Sequence, residues 1–293
     1  MTAISGRLSK PLEPRPAGAL VLIARTAAEL GVDFVVVGAM ARDIHFEHIW
    51  GIFTRRRTGD IDLAVQVKDW AQYERLRQGL ESSRFFASVQ GMPERFLADN
   101  GALIDILPFG GLASPGEVIA WPKEKRTMSV TGVGDVFTHA LTLSIPDSHG
   151  AADVRIASIP GLVILKLVAL SDSKGRAGKD ADDIEFIISN YLAVGNRSRV
   201  GKGPDGDLIR MEPFDLLLVS ARLLGRDMAR MSSKPTRVRV GDILRRESAG
   251  SGNNPLADEL AHRLHGDALR VRQLLAALLQ GYEEGSREQA NRA

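Results

Sequence analysis

The chain contains no cysteine in 293 residues. That excludes disulfides and thiolate-held zinc, and it fits a reducing cytoplasm. Long apolar runs are missing as well. The most hydrophobic stretch, Leu162 to Leu170, is interrupted by Lys166, whereas a spanning helix needs about 20 apolar residues in succession. Met1 to Gly18 lacks the apolar core of a signal segment. The expectation is a cytoplasmic protein with no membrane partner. There is no internal repeat, no Walker glycine–lysine signature and no ordered Ser-His-Asp set. His45 with His48, and His262 with His265, are each spaced by three but have no third ligand nearby, so a zinc centre is not expected. Nor does charge of one sign dominate: 38 Lys+Arg against 36 Asp+Glu leave a net charge of +2. Composition by itself does not demand a nucleic-acid partner.

Positive charge is nevertheless clustered. Arg55, Arg56 and Arg57 are consecutive, and Arg222, Arg226 and Arg230 recur every four residues, which stacks them on one helix face. Lys234, Arg237 and Arg239 follow. Such clusters are either solvated faces or a docking surface for RNA phosphates.

Periodicity and punctuation predict an α+β chain. Helices are expected at Ala19 to Leu30, Ala39 to His48, Asp69 to Ser82 and Val136 to Leu143, and strands at Asp33 to Val37, Asp60 to Val67, Leu103 to Leu107 and Val154 to Ala157. Val118 to Val130 reads as extended. From Pro160 the pattern turns helical, with Asp180 to Leu192, Pro213 to Met231 and Pro255 to Glu284 as further helical stretches. Gly195 to Asp207 looks like a glycine-rich linker, Ser248 to Asn254 a flexible break, and the tail after Gly285 a frayed end. The implied domains are a core at 19–195 and a helical C-terminal domain at 208–285.

One constellation carries chemistry. Asp60 and Asp62 open a strand at i and i+2, so both point to the same face. Asp105 stands alone among Leu103, Ile104, Ile106 and Leu107, where an ionised carboxylate is costly unless paired or metal-bound. Three carboxylates on one face suit Mg²⁺ or Mn²⁺ held against a triphosphate. Capping of a turn by Asp60, and an arginine partner for Asp105, are the alternatives. Gly38 begins a turn after a strand, where backbone N–H groups approach a phosphate. Arg42, one turn further on, is placed to reach the same phosphates, and the Thr58 hydroxyl to lie at the mouth of the site. Lys166 interrupts an apolar helix. With Asp180 and Asp183 sharing a face at i and i+3, its ammonium would be held as a triphosphate ligand. Snorkelling of Lys166 and an N-cap role for Asp180 are the bland readings.

Taken in order, the Gly38 turn, Arg57-Thr58-Gly59-Asp60-Ile61-Asp62-Leu63, Ile104 to Gly111, Gly161 to Leu170 and Lys179-Asp180-Ala181-Asp182-Asp183-Ile184 resemble the AbiEii/AbiGii toxin family of nucleotidyltransferases, within the DNA polymerase β-like superfamily. The resemblance spans roughly Val32 to Tyr191. It implies a polymerase β-like core with a mixed sheet, followed by a helical C-terminal region. It further implies that Asp60 and Asp62 bind metal, that Lys166 contacts nucleotide and that Asp180 acts in or beside the site. Such toxins add nucleotides to the acceptor end of tRNA and are paired with an antitoxin protein. Two positions depart from the pattern: Gly38-Ala39-Met40 replaces Gly-Gly-Ser or Gly-Gly-Thr, and Lys179-Asp180 replaces Arg-Asp.

The expected reaction is metal-dependent attack of an acceptor hydroxyl on a nucleoside triphosphate, with Asp105 completing the site and accepting the hydroxyl proton. The expected acceptor is the tRNA 3′ end. A small-molecule or protein hydroxyl as acceptor, and a nucleotide-binding regulator without turnover, are the rival readings.

Overall fold

The computed structural model describes residues 5–6, 8–54, 58–114, 116–122, 126–147, 150–172, 177–249, 254–264 and 266–291. The Arg55–Arg57 cluster, His265 and most of the expected break at 248–254 lie outside them. The chain divides into two compact units, Met1–Leu162 and Val163–Ala293.

The first unit runs β1 (Ser5–Gly6), α1 (Pro14–Glu29), β2 (Asp33–Val37), α2 (Gly38–Asp43) and a π-helical turn at Ile44–Ile49, then β3 (Asp60–Val67), α3 (Trp70–Ser82), β4 (Phe86–Val89), β5 (Met92–Ala98) and β6 (Leu103–Gly110). It ends with β7 (Val118–Ala120), β8 (Thr127–Ser129), α4 (Val133–Thr138), β9 (Leu141–Asp147) and β10 (Gly150–Ile156). Among the described residues the main sheet has eight strands, ordered β1-β9-β10-β2-β3-β6-β5-β4. It is mixed: β3 pairs parallel with β6 and antiparallel with β2, and β5 pairs antiparallel with β6. β7 and β8 form a separate small hairpin.

Alternation explains the central strands. In β3, Ile61 and Leu63 are buried on one face while Asp60 and Asp62 take the other. β6 repeats this with Ile104 and Ile106 buried and Asp105 half-buried. The apolar face is covered in part by α3, whose Tyr73, Leu76 and Leu80 are buried and whose Asp69 caps the first turn by accepting from Gln72 N–H at 2.7 Å.

Several expectations are corrected. α1 starts at Pro14 rather than Ala19, because proline suits the first helical turn, where its missing N–H costs nothing. The helix expected over Val136 to Leu143 stops at Thr138, and Leu141 turns into β9; Leu143 and Ile145 are buried while Ser144 between them is exposed, a period of two. β4 and β5, unassigned by the sequence pattern, form the edge hairpin of the sheet.

The second unit begins inside α5 (Ile159–Asp172) and continues with α6 (Ala177–Asn190), α7 (Leu216–Met231), α8 (Lys234–Ser248), α9 (Pro255–Arg263) and α10 (Ala268–Ala290). The stretch expected to be a linker is ordered instead: Asn196–Arg199 and Gly203–Arg210 are 3₁₀ turns, and Asp205 within them is buried. Nor does the chain fray after Gly285, since α10 persists to Ala290. The α+β architecture and the helical C-terminal region are as the sequence pattern predicts, and the mixed sheet is as the motif resemblance implies.

α7 and α10 are locked by glycines. A Cβ on Gly225 would lie 2.2 Å from the Leu278 carbonyl oxygen, and one on Gly281 only 1.9 Å from that of Arg222. Backbone touches backbone, so neither neighbour can move aside as a side chain would. Gly281→Ala should therefore destabilise the protein by about 2 kcal/mol or more despite alanine's better helix propensity. Urea unfolding followed by helical circular dichroism measures this; an unchanged or raised midpoint would contradict the packing.

Candidate active site

The expected carboxylates meet because of strand register. Val37 is opposite Asp62, Asp62 is opposite Asp105, and Asp105 is opposite Arg95. One row therefore crosses β2, β3, β6 and β5, with Asp60 two residues along β3 on the same face. Gly38 directly follows β2, with φ at +66°. A Cβ there would lie 2.0 Å from Oδ2 of Asp62. Glycine is thus required twice over, for the left-handed backbone and for the close approach of the carboxylate.

Arg95 is the residue that sequence reasoning missed. Its Nε donates to Oδ1 of Asp105 at 2.7 Å and its Nη2 to Oδ2 at 2.6 Å, a bidentate pair. The same Nη2 lies 3.8 Å from Oδ2 of Asp60. The hydrogen bond to Asp105 raises the Arg95 pKa above its ordinary value; burial opposes this, and the charges of Asp105, Asp60 and Asp62 reinforce it. The alternation of Phe96 and Ala98, both buried, was the available signal for β5, and it puts Arg95 on the face opposite Phe96.

Donor chemistry suits a hard divalent ion. Mg²⁺ takes one or two carboxylates and completes its shell with water and substrate phosphates, and Asp60 and Asp62 can supply those two. Each oxygen of Asp105 accepts one hydrogen bond from Arg95 and keeps a second lone pair, so the pairing orients Asp105 and lowers its basicity without blocking it as a ligand or proton acceptor. Among the described residues no group of three or more histidine or acidic side chains is arranged to hold a metal.

Other expected residues have different surroundings. Arg42 is buried, and its Nε and Nη2 both donate to Oδ1 of Asp43, at 2.8 and 2.6 Å. Thr58 closes the turn into β3: its hydroxyl donates to the Asp60 carbonyl at 3.2 Å and accepts from the Asp60 N–H at 3.4 Å. His45 meets the Ala157 carbonyl oxygen through Nε2 at 2.8 Å and is buried, not a ligand.

In the second unit, Lys166 on α5 is gripped by α6. Its ammonium pairs with Asp183 and lies 3.3 Å from Oδ1 of Asp180. All three side chains are at least 85% buried, with 11%, 7% and 15% exposed. Lys166 does not snorkel, and Asp180 sits within the first turn of α6 rather than at its cap.

The arginine face of α7 is neither solvated nor a free docking surface. Arg222 and Arg226 donate to Glu284, Arg226 also to Asp207, and Arg230 to Glu288. Buried Asp205 accepts from Arg199 at 2.7 Å and pairs with Arg230 at 2.9 Å. Burial pushes the Asp205 carboxyl up, but hydrogen bonds from Arg230 and Arg199 outweigh it and hold its pKa below the ordinary value. In Asp207 the Arg226 hydrogen bond has the same effect. A depressed folded pKa contributes stability that is complete above the unfolded value, about 3.9 for aspartate. It is lost as pH falls through the folded value. Urea midpoints should therefore decline below pH 4, and Asp205→Asn should flatten part of that decline while lowering stability at pH 7. An acid slope identical in the variant would show that Asp205 does not couple folding to pH.

No family model matches the chain, and no curated protein matches it in sequence. Among solved structures similar to it at a distance are the following. A crystal structure of an antigenic nucleotidyltransferase-like protein from Paracoccidioides brasiliensis matches with 16% identity and a TM-score of 0.38, covering 65% of this chain and 91% of that one. A crystal structure of ANT(2″)-Ia in complex with adenylyl-2″-tobramycin matches with 13% identity and a TM-score of 0.35, covering 63% and 98%. A solution structure of the antibiotic-resistance factor ANT(2″)-Ia gives 13% identity and a TM-score of 0.36, covering 87% and 99%. At such distances these likenesses assign the chain neither an activity nor a substrate. Fold and site define it as an α+β protein with an acidic row on its sheet, countered among the described residues by Arg95.

Since the Gly38–Asp62 approach shapes that row, Gly38→Ala should destabilise through both the clash and the positive φ. Combining it with Asp62→Ala removes the carboxylate that clashes, so the double variant should recover at least about 1 kcal/mol relative to additivity. A thermal-unfolding double-mutant cycle checks this, and strictly additive losses would contradict the contact.

Proposed function

We propose that the chain is a nucleotidyltransferase that uses Mg²⁺ or Mn²⁺ to transfer a nucleoside monophosphate from a nucleoside triphosphate to an acceptor hydroxyl. The observation that carries the reading is the register of Asp62 against Asp105 on adjacent parallel strands, with Asp60 on the same face and the Gly38 turn against Asp62. A bound ion would polarise the phosphate and offset its charge. Asp60 and Asp62 are the side chains we assign to hold it. The acceptor oxygen forms a bond to the α-phosphorus, the bond to pyrophosphate breaks, and the hydroxyl proton passes to a base, for which we propose Asp105, held in orientation by Arg95. In this reading the Gly38 turn faces the phosphates and Thr58 lines the approach. Lys166, held by Asp180 and Asp183, is assigned to the triphosphate on the strength of the motif resemblance. Arg42 would reach the phosphates only by leaving Asp43, against which its guanidinium is buried.

For the acceptor we propose an RNA 3′ end, as the toxin-family resemblance implies, and with it a cytoplasmic toxin neutralised by a cognate antitoxin protein. The three consecutive arginines before Thr58 support RNA. A second acceptor reading, a small-molecule hydroxyl, is favoured by one observation: Arg222, Arg226 and Arg230 are neutralised within the protein.

Incubation with each labelled nucleoside triphosphate, Mg²⁺ and total RNA tests the reading. Wild type should label an RNA species, while Asp60→Ala and Asp62→Ala should fall to background with melting temperatures held or raised, because each removes mutual carboxylate repulsion. Full activity of either variant would overturn the assignment, and label on a small molecule would move the acceptor.

A further inference from the structure

Building on the metal-site reading above, we propose that Arg95 is a positioning residue and internal counter-ion: it aligns Asp105 and occupies, in the metal-free protein, the electrostatic place of the divalent ion, so that ion binding and the Arg95 contacts compete. The inference starts from where one nitrogen lies. Nη2 of Arg95 is 2.6 Å from an oxygen of Asp105 on β6 and 3.8 Å from an oxygen of Asp60 on β3. It therefore faces carboxylates of two adjacent strands at once. An ion held by Asp60 and Asp62 would draw on the Asp60 carboxylate that Arg95 faces, and its charge and that of the guanidinium would repel each other.

The fork geometry adds orientation to charge. Two parallel N–H···O bonds fix the plane of the Asp105 carboxylate, which a lysine's point charge would not do. The pair is also placed to open. Arg95 sits on the second strand from the sheet edge, its side chain is 28% exposed, and that of Asp105 is 24% exposed. Such a pair exchanges with solvent far more readily than a sealed ion pair in a core. Without Arg95, three carboxylates would repel across two adjacent strands with no cation from β5.

Direct Mn²⁺ binding, followed by electron paramagnetic resonance of the free ion, separates this role from mere structural support. Arg95→Met should bind Mn²⁺ about tenfold more tightly, equivalent to 1.4 kcal/mol, and melt at a lower temperature without metal. Arg95→Lys keeps the charge, so its Mn²⁺ affinity should stay within about threefold of wild type. Its labelling activity should still fall, because Asp105 is no longer aligned. Should Arg95→Met fail to fold, Arg95→Gln, which keeps hydrogen-bonding capacity and drops the charge, carries the same expectation. A folded, charge-removed variant with unchanged or weaker Mn²⁺ affinity would overturn the role of Arg95, provided wild type binds Mn²⁺ and Asp60→Ala and Asp62→Ala do not. If wild type binds no Mn²⁺ at all, the metal site itself fails, and this inference with it.

Discussion

Carboxylates gathered on one face of a sheet repel one another, and a fold that gathers them needs either a cation or a compelling register. Here it has both. The apolar halves of β3 and β6, built on Ile61, Leu63, Ile104 and Ile106, fix a pairing in which Asp62 and Asp105 must stand side by side. A slip by one residue would bury the aspartates and expose the isoleucines. The hydrophobic face thus enforces the acidic one. Arg95 then offsets part of the cost, and Gly38 leaves the space that the Asp62 carboxylate fills.

The second unit handles charge differently. Lys166 is enclosed by Asp180 and Asp183, and the arginines of α7 are matched by Asp205, Asp207, Glu284 and Glu288. Buried or half-buried pairs of this kind specify geometry more than they add stability, since desolvation consumes much of the attraction. Those to Glu284 and Glu288 join α7 to α10, whose glycines bring the backbones into contact. A charge pattern that in sequence suggests an RNA surface is, in the folded chain, an internal network.

Strand alternation and turn chemistry made the centre of the sheet legible. β2, β3 and β6, the Gly38 turn and the pairing of Lys166 with two acids all follow from local pattern. What escaped were features that depend on distant partners. Arg95 becomes meaningful only when β5 is paired with β6. The segment 195–207 looks like a linker because its glycines are visible in sequence, while the arginines that bury Asp205 come from the segment itself and from α7, more than twenty residues later. Likewise the spacing of Arg222, Arg226 and Arg230 reveals a helix face but not that α10 supplies its acids.

The central claim is that the acidic row binds a nucleotide through a divalent ion. Isothermal titration with a non-hydrolysable nucleoside triphosphate analogue, in matched buffers with Mg²⁺ and with chelator, measures that directly. The account predicts saturable binding of one nucleotide per chain with Mg²⁺ and a loss of at least tenfold in affinity without it. Binding equally tight in chelator, or no binding in either buffer, would contradict it.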